Sequence, residues 1–181
     1  MKVLDNVLEL NPRMEAGILL QKIYGACRNG FPVPEGVLIR LKEGPRLLYP
    51  AYITSVLYEI NKSIRNDRCY IKDKQVFVDA LSSWAKKQAL FSWETELRLA
   101  ETFQNLDYIE LSKVHLLRVW KAYRVANEAP LLLIELYLMT NEIDKAKQVL
   151  LELDSGEREY KQSERTRLTD IRHYLDALKN E

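Results

Sequence analysis

The residue types best suited to nucleophilic, redox or metal chemistry in this 181-residue chain are two histidines, His115 and His173, and two cysteines, Cys27 and Cys69. A triad or a metal site needs partners at defined spacing. No His-x-x-x-His, Cys-x-x-Cys or Gly-x-Ser-x-Gly occurs. His115 lies within an apolar helical pattern, Ile109 to Val125, and is expected to be a packed structural histidine; His173 is expected to be solvated. The cysteines are expected to be two buried free thiols, because free cysteine is among the most buried residue types. A single disulfide is the alternative in an oxidising compartment. Gly17, Gly25, Gly30, Gly36, Gly44 and Gly156 are scattered, and no phosphate-binding loop is formed. Carboxylates are plentiful, but glutamates on helix faces are usually solvated, so an acid pair of the glycosidase kind is unsupported. The expectation is no catalytic residue, no cofactor and no metal.

Binding residues are easier to nominate. Arg118, Lys121 and Arg124 recur with Trp120 and Tyr123 between them, a pattern suited to an acidic partner or a glycan. The same residues also describe one wet helix face beside two core aromatics. Trp93, Glu96 and Glu135 fall on the first helix of successive helix pairs, whose inner face is where helical stacks bind. Glu135 is the one charge in an otherwise apolar helix, so it must face a partner, a groove or water. The alternative for all three is an ordinary rim position.

Composition bounds the partner classes. Basic and acidic residues number 27 and 26, so the strongly basic signature of nucleic-acid binders is missing and no nucleic-acid partner is expected. Apolar residues make up 47% and charged residues 29%, as in an ordinary globular chain. No apolar run approaches the roughly 20 residues that span a bilayer, so direct membrane insertion by this segment is not expected. The start, Met1 to Asp5, leads straight into an amphipathic pattern rather than a leader peptide.

The elements that position these residues read as helices throughout. Val3, Leu4, Val7, Leu8 and Leu10 form an uncapped apolar stripe ended by Asn11-Pro12. A helix over Arg13 to Arg28 stops at Asn29-Gly30, and Phe31-Pro32-Val33-Pro34 is a stiff extended connector. Short and long helices follow over Glu35 to Lys42 and Pro50 to Ile64. Asp73 caps a helix to about Leu90 with core residues Val76, Phe77, Ala80, Leu81 and Trp84, and Ser92 caps the next. Pro130 opens an apolar helix, Thr140-Asn141-Glu142 interrupts it, and Ile143, Ala146, Leu150 and Leu153 continue at helical spacing. The last helix runs from about Gln162 to Leu178 with one apolar stripe, as a terminal cap requires.

At an offset of 35 residues Leu99 meets Ile134, Phe103 meets Leu138, Tyr108 meets Ile143, Leu111 meets Ala146 and Val114 meets Val149, while His115 breaks the match with Leu150. The pattern Leu133, Ile134, Tyr137, a polar turn, then Ile143, Ala146 and Leu150 resembles a tetratricopeptide repeat, and Glu94 to Asn127 resembles a looser copy. Both lack the family's glycine at the end of the first helix, and Leu111 replaces its small residue. The chain as a whole is also similar, more weakly, to the C-terminal extramembrane region of bacterial O-antigen ligases and polymerases. No catalytic residue of that family is carried over.

These readings predict an all-α fold: antiparallel helix pairs stacked as a short right-handed tetratricopeptide-like superhelix. Residues 1–90 are expected to form a region of diverged repeats or a small bundle, and residues 91–181 repeats with a capping helix, together one continuous solenoid. The stripe at the start predicts a piece of a longer protein. The resemblance implies a non-catalytic module for a protein or peptide partner, from a larger bacterial protein, in the cytoplasm or the periplasm. Its alternative is the extramembrane tail of a membrane-bound ligase or polymerase in surface glycan assembly, with glycan met only through the parent.

Overall fold

A computed structural model describes residues 15–44, 50–88, 92–123, 126–156 and 159–178. The expected stripe at Val3 to Leu10 and the side chain of Arg124 lie outside the described residues. Among the described residues every regular element is a helix: α1 (Glu15–Arg28), α2 (Glu35–Lys42), α3 (Pro50–Arg65), α4 (Lys74–Lys86), α5 (Trp93–Asn105), α6 (Ile109–Ala122), α7 (Glu128–Met139), α8 (Ile143–Asp154) and α9 (Gln162–Ala177). The chain is all-α, as its periodicity predicts.

The helices form two compact units, one ending at Tyr108 and one beginning at Ile109. In the first, α1 packs on α3 and α3 on α5, while α2 packs on both α1 and α4. Odd and even helices therefore occupy separate rows. Leu20, Ile23, Leu57, Ile60, Phe77, Leu81, Trp84, Leu97 and Phe103 are fully buried there. Each such side chain contributes about 1.5–3 kcal/mol by leaving water. In the second unit α7 is central and packs against α6, α8 and α9. That placement explains why α7 is apolar nearly all round, with Leu131, Leu133, Ile134 and Leu136 inaccessible.

One local device recurs. α1, α3, α5 and α7 each end in a residue with positive φ: Gly30 (68°), Asp67 (53°), Asp107 (71°) and Asn141 (58°). In each case the next N–H reaches back five residues, Phe31 to Ala26, Arg68 to Ser63, Tyr108 to Phe103 and Glu142 to Tyr137, at 2.7–3.0 Å. This is the Schellman reversal, which satisfies the last carbonyls of a helix and turns the chain sharply. Glycine takes the conformation freely, and Asp and Asn tolerate it because their short polar side chains bond locally.

The third and fourth reversals lie 34 residues apart. Burial follows the same offset: Leu97 with Leu131, Leu99 with Leu133, Ala100 with Ile134, Phe103 with Tyr137, Ser112 with Ala146, His115 with Val149 and Val119 with Leu153 are all buried. The offset of 35 read from apolar identity is therefore corrected in the second helix of the pair. Val114 is exposed while Val149 is buried. The buried positions of α6 include Ser112, Lys113 and His115, which apolar counting passes over.

Other departures are small. Asp73 and Ser92 cap α4 and α5 as expected, accepting from Val76 N at 3.1 Å and Thr95 N at 3.3 Å. Val76 is exposed and Val78 takes the core position assigned to it. α4 ends at Lys86 and α6 at Ala122, each earlier than its periodicity suggested. The expectation of two free thiols is corrected outright: Cys27 and Cys69 are joined across 42 residues. The bond ties the end of α1 to the segment after α3. By chain entropy a loop of this length is worth about 4 kcal/mol.

The reversals generate a test. Gly30→Ala meets open space but a disfavoured φ, and is expected to lower stability by about 1 kcal/mol. Asn141→Gly relieves a non-glycine residue in that region and is expected to raise it by about 0.5 kcal/mol. Urea unfolding of each variant measures both.

Candidate functional site

Three polar constellations stand out. The first sits in the second unit where α6 faces the α7–α8 turn. Lys113 is a long cation on a buried helix face, its side chain 4% exposed. Its ammonium donates to Glu110 at 2.8 Å, to the Thr140 hydroxyl at 2.9 Å and to Glu142. It also lies 5.3 Å from the centre of the Tyr137 ring, and Lys145 lies 5.6 Å from the same ring. Burial alone lowers the Lys113 pKa, but the bonds to Glu110 and Glu142 outweigh it and the net direction is up. The Glu142 carboxyl is held down at about 2 by bonds from Lys113, Lys145 and Thr140. Burial raises the Tyr137 phenol. At neutral pH Lys113 is thus an ammonium, with no free lone pair for base or nucleophilic work. It pins α6 to the turn.

The second constellation is a polar seam between α3 and α5 in the first unit. The Thr54 and Thr95 hydroxyls meet at 2.9 Å. Asn61, fully buried, donates to the Arg98 carbonyl at 2.9 Å and to Glu101 at 3.3 Å. Arg98 pairs with Glu101 and covers the Tyr58 ring at 5.5 Å. On the solvent side of this row, Tyr52, Ser55, Glu59 and Lys62 follow one another at helical spacing on α3. The Tyr52 ring packs over Gly17 of α1, where an added Cβ would come within 2.9 Å of it. The result is a face with Tyr52, Tyr58, Lys62 and Arg98 presented across neighbouring helices.

The third is an open polar hollow of about 280 Å³ in the same unit, lined by Tyr24, Arg28, Glu59, Lys62, Ser63, Asn66 and Arg68. Arg28 closes α1 and directly follows Cys27, and Arg68 directly precedes Cys69, the other half of the disulfide. The disulfide therefore holds two guanidinium-bearing residues at the rim of one hollow.

The nominated residues fall as follows. Trp93 and Glu96 are half-buried in the first two turns of α5, in the first unit. Glu135 lies in the second unit, so the two groups belong to different units. Its carboxylate takes Nε and Nη2 of Arg167 at 2.9 and 2.8 Å, a bidentate pair that docks α9 on α7. The charge that needed a partner has one within the chain. Arg118 and Lys121 are exposed on α6 beside half-buried Trp120. His115 is buried on α6 and His173 exposed on α9. Among the described residues no group of three or more His, Cys, Asp or Glu is placed to hold a metal.

Sequence reading missed Lys113 and the hollow for different reasons. Lys113 sits beside acidic Glu110 in an amphipathic helix and looks like any solvated charge; only its place on the buried face with Ser112, His115 and Leu116 would have marked it. Arg28 ends α1, whereas Lys62 and Arg68 lie at and just after the end of α3, so no single run of sequence holds all three.

Glu142 supplies a pH test. Its folded pKa is depressed from 4.5 to about 2. Its contribution is therefore complete above the ordinary carboxylate range and is lost as pH falls through about 2. Acid unfolding followed by circular dichroism should show the wild type losing more stability from pH 4.5 downward than Glu142→Gln, which starts lower at pH 7 and falls less. Equal slopes would contradict the network. Comparison of the chain with family models, curated proteins and solved structures finds no match.

Proposed function

We propose that the chain is a non-catalytic interaction module of degenerate tetratricopeptide-like helix pairs, stacked as a right-handed superhelix, that binds a protein or peptide. The observation that carries this reading is the solvent face of the α1–α3–α5 row. Tyr52 and Tyr58 are exposed there at 45% and 43%, flanked by Lys62 and Arg98. Tyrosine and arginine are the residues over-represented where protein interfaces concentrate their energy, because each offers a large rigid contact with a polar tip. The recurring Schellman reversals at 34–40-residue intervals support a repeat architecture of this kind. Arg118 and Lys121, exposed on α6, form a separate candidate surface for an acidic partner.

The disulfide favours a second reading, in which the module is an extramembrane tail of a bacterial O-antigen ligase or polymerase. Cys27 and Cys69 bonded to each other fit an oxidising compartment such as the periplasm better than a reducing cytosol. No described helix is long and apolar enough to cross a membrane; in this reading the spans belong to the parent. Trapping thiols with an alkylating agent in intact source cells tests the point. A chain whose cysteines resist alkylation until reduced supports an oxidising compartment, and full alkylation without reductant removes the argument for the tail.

The interaction face has its own test. A photo-crosslinking amino acid replaces Ser55, exposed mid-face, and in a control replaces Tyr174, exposed on α9. Irradiation in the source cell is expected to give a discrete crosslinked protein from position 55 only, lost when Tyr58→Ala is added. Identical products from both positions, or none, overturn the assignment.

A further inference from the structure

We infer that the hollow lined by Tyr24, Arg28, Glu59, Lys62, Ser63, Asn66 and Arg68 is a binding site for a small oxyanion, a phosphoryl or carboxylate group, clamped between Arg28 and Arg68. The hollow borders the interaction face, sharing Glu59 and Lys62 with it, but the inference rests on Arg28 and Arg68.

Charge compensation is the first argument. Several cations elsewhere in the chain meet carboxylates: Arg40 with Glu15 and Glu43, Lys74 with Asp107, Arg98 with Glu101, Lys113 with Glu142, Arg167 with Glu135 and Arg172 with Asp154. At the hollow three cations converge with one carboxylate, and among the described residues none of Arg28, Lys62 or Arg68 forms an ion pair. Like charges brought together raise the local potential, which a bound anion relieves. Arg28 and Lys62 occupy the last turns of α1 and α3, where the helix dipole itself attracts cations. That accounts for those two singly. It does not account for Arg68, which lies beyond α3 in irregular chain, nor for the concavity between them.

Donor chemistry is the second argument. Two guanidinium groups offer planar forks that match the spacing of oxygens on a phosphate or carboxylate. Lys62 adds a point charge, and the Asn66 amide and Tyr24 hydroxyl add neutral donors. The volume of about 280 Å³ is that of a small-molecule subsite rather than of a polymer groove.

The disulfide is the third. Cys27 is the neighbour of Arg28 and Cys69 the neighbour of Arg68, so the covalent link limits how far the backbones that carry the two forks can separate before any ligand arrives. Preorganisation of that kind strengthens binding by removing an ordering cost. Reduction should loosen the clamp without touching a donor.

Calorimetric titration of the oxidised full chain with pyrophosphate, and in a parallel arm with citrate, both at constant ionic strength, tests the site. The expected result is saturable one-site binding in at least one arm; the arm that binds tells a phosphoryl from a carboxylate ligand. Arg28→Gln/Arg68→Gln should weaken it by about tenfold or more, Glu59→Gln should tighten it about two- to fivefold by removing the opposing charge, and prior reduction should weaken it about threefold. Both arginines are exposed, and unchanged far-ultraviolet dichroism confirms that the variant folds. No saturation in either arm, or a double variant that titrates like the wild type, overturns the proposal. Unchanged affinity after reduction overturns the clamp.

Discussion

The structure depends on a left-handed residue at the end of each odd helix from α1 to α7. A helix that stops without one leaves its last carbonyls unsatisfied and gives the chain no reason to turn in a particular direction. The Schellman geometry does both jobs in two residues. The N–H groups of Gly30 and Phe31 close on Cys27 and Ala26, and those of Asn141 and Glu142 on Leu138 and Tyr137. The next helix then starts within a few residues of the reversal. Because the constraint falls on φ rather than on side-chain chemistry, glycine, aspartate and asparagine share it, and no sequence identity need survive between copies.

Within this frame, polar bonds inside apolar contacts set the register of neighbouring helices. Apolar surfaces slide past one another at little cost, whereas a buried donor has one good position. Asn61 makes its bonds to the Arg98 carbonyl and Glu101 only when α3 and α5 stand in one alignment. Lys113 does the same between α6 and the α7–α8 turn, and burying its charge is tolerable only because Glu110, Thr140 and Glu142 converge on it. Glu135 and Arg167 are more exposed, and a pair of that kind orients α9 more than it stabilises it.

This division explains what the sequence disclosed. Helical class, the Asp73 and Ser92 caps and the break at Thr140 to Glu142 are carried by local patterns and were legible. The 34-residue offset was blurred, because apolar identity marks Val114 and overlooks Ser112 and Lys113, although burial does the reverse. Glu135 was recognisable as a charge in need of a partner, but Arg167 lies 32 residues on in a helix full of arginines and glutamates. The hollow was illegible for a stricter reason. Arg28 ends α1 while Lys62 and Arg68 flank the end of α3, and the packing of α1 on α3 and the bond from Cys27 to Cys69 bring the two groups together.

The ion pairs named above neutralise some of the chain's cations beside a carboxylate. The trio of Arg28, Lys62 and Arg68 forms no such pair among the described residues and shares one concave hollow. It lies at two helix ends whose dipoles hold Arg28 and Lys62 in place, and the covalent link beside Arg28 and Arg68 keeps their repulsion from separating the walls. Repulsion that the fold holds in check, rather than relieves with a neighbouring glutamate, leaves an electrostatic vacancy of defined shape, and the chemistry that fills such a vacancy is an anion's.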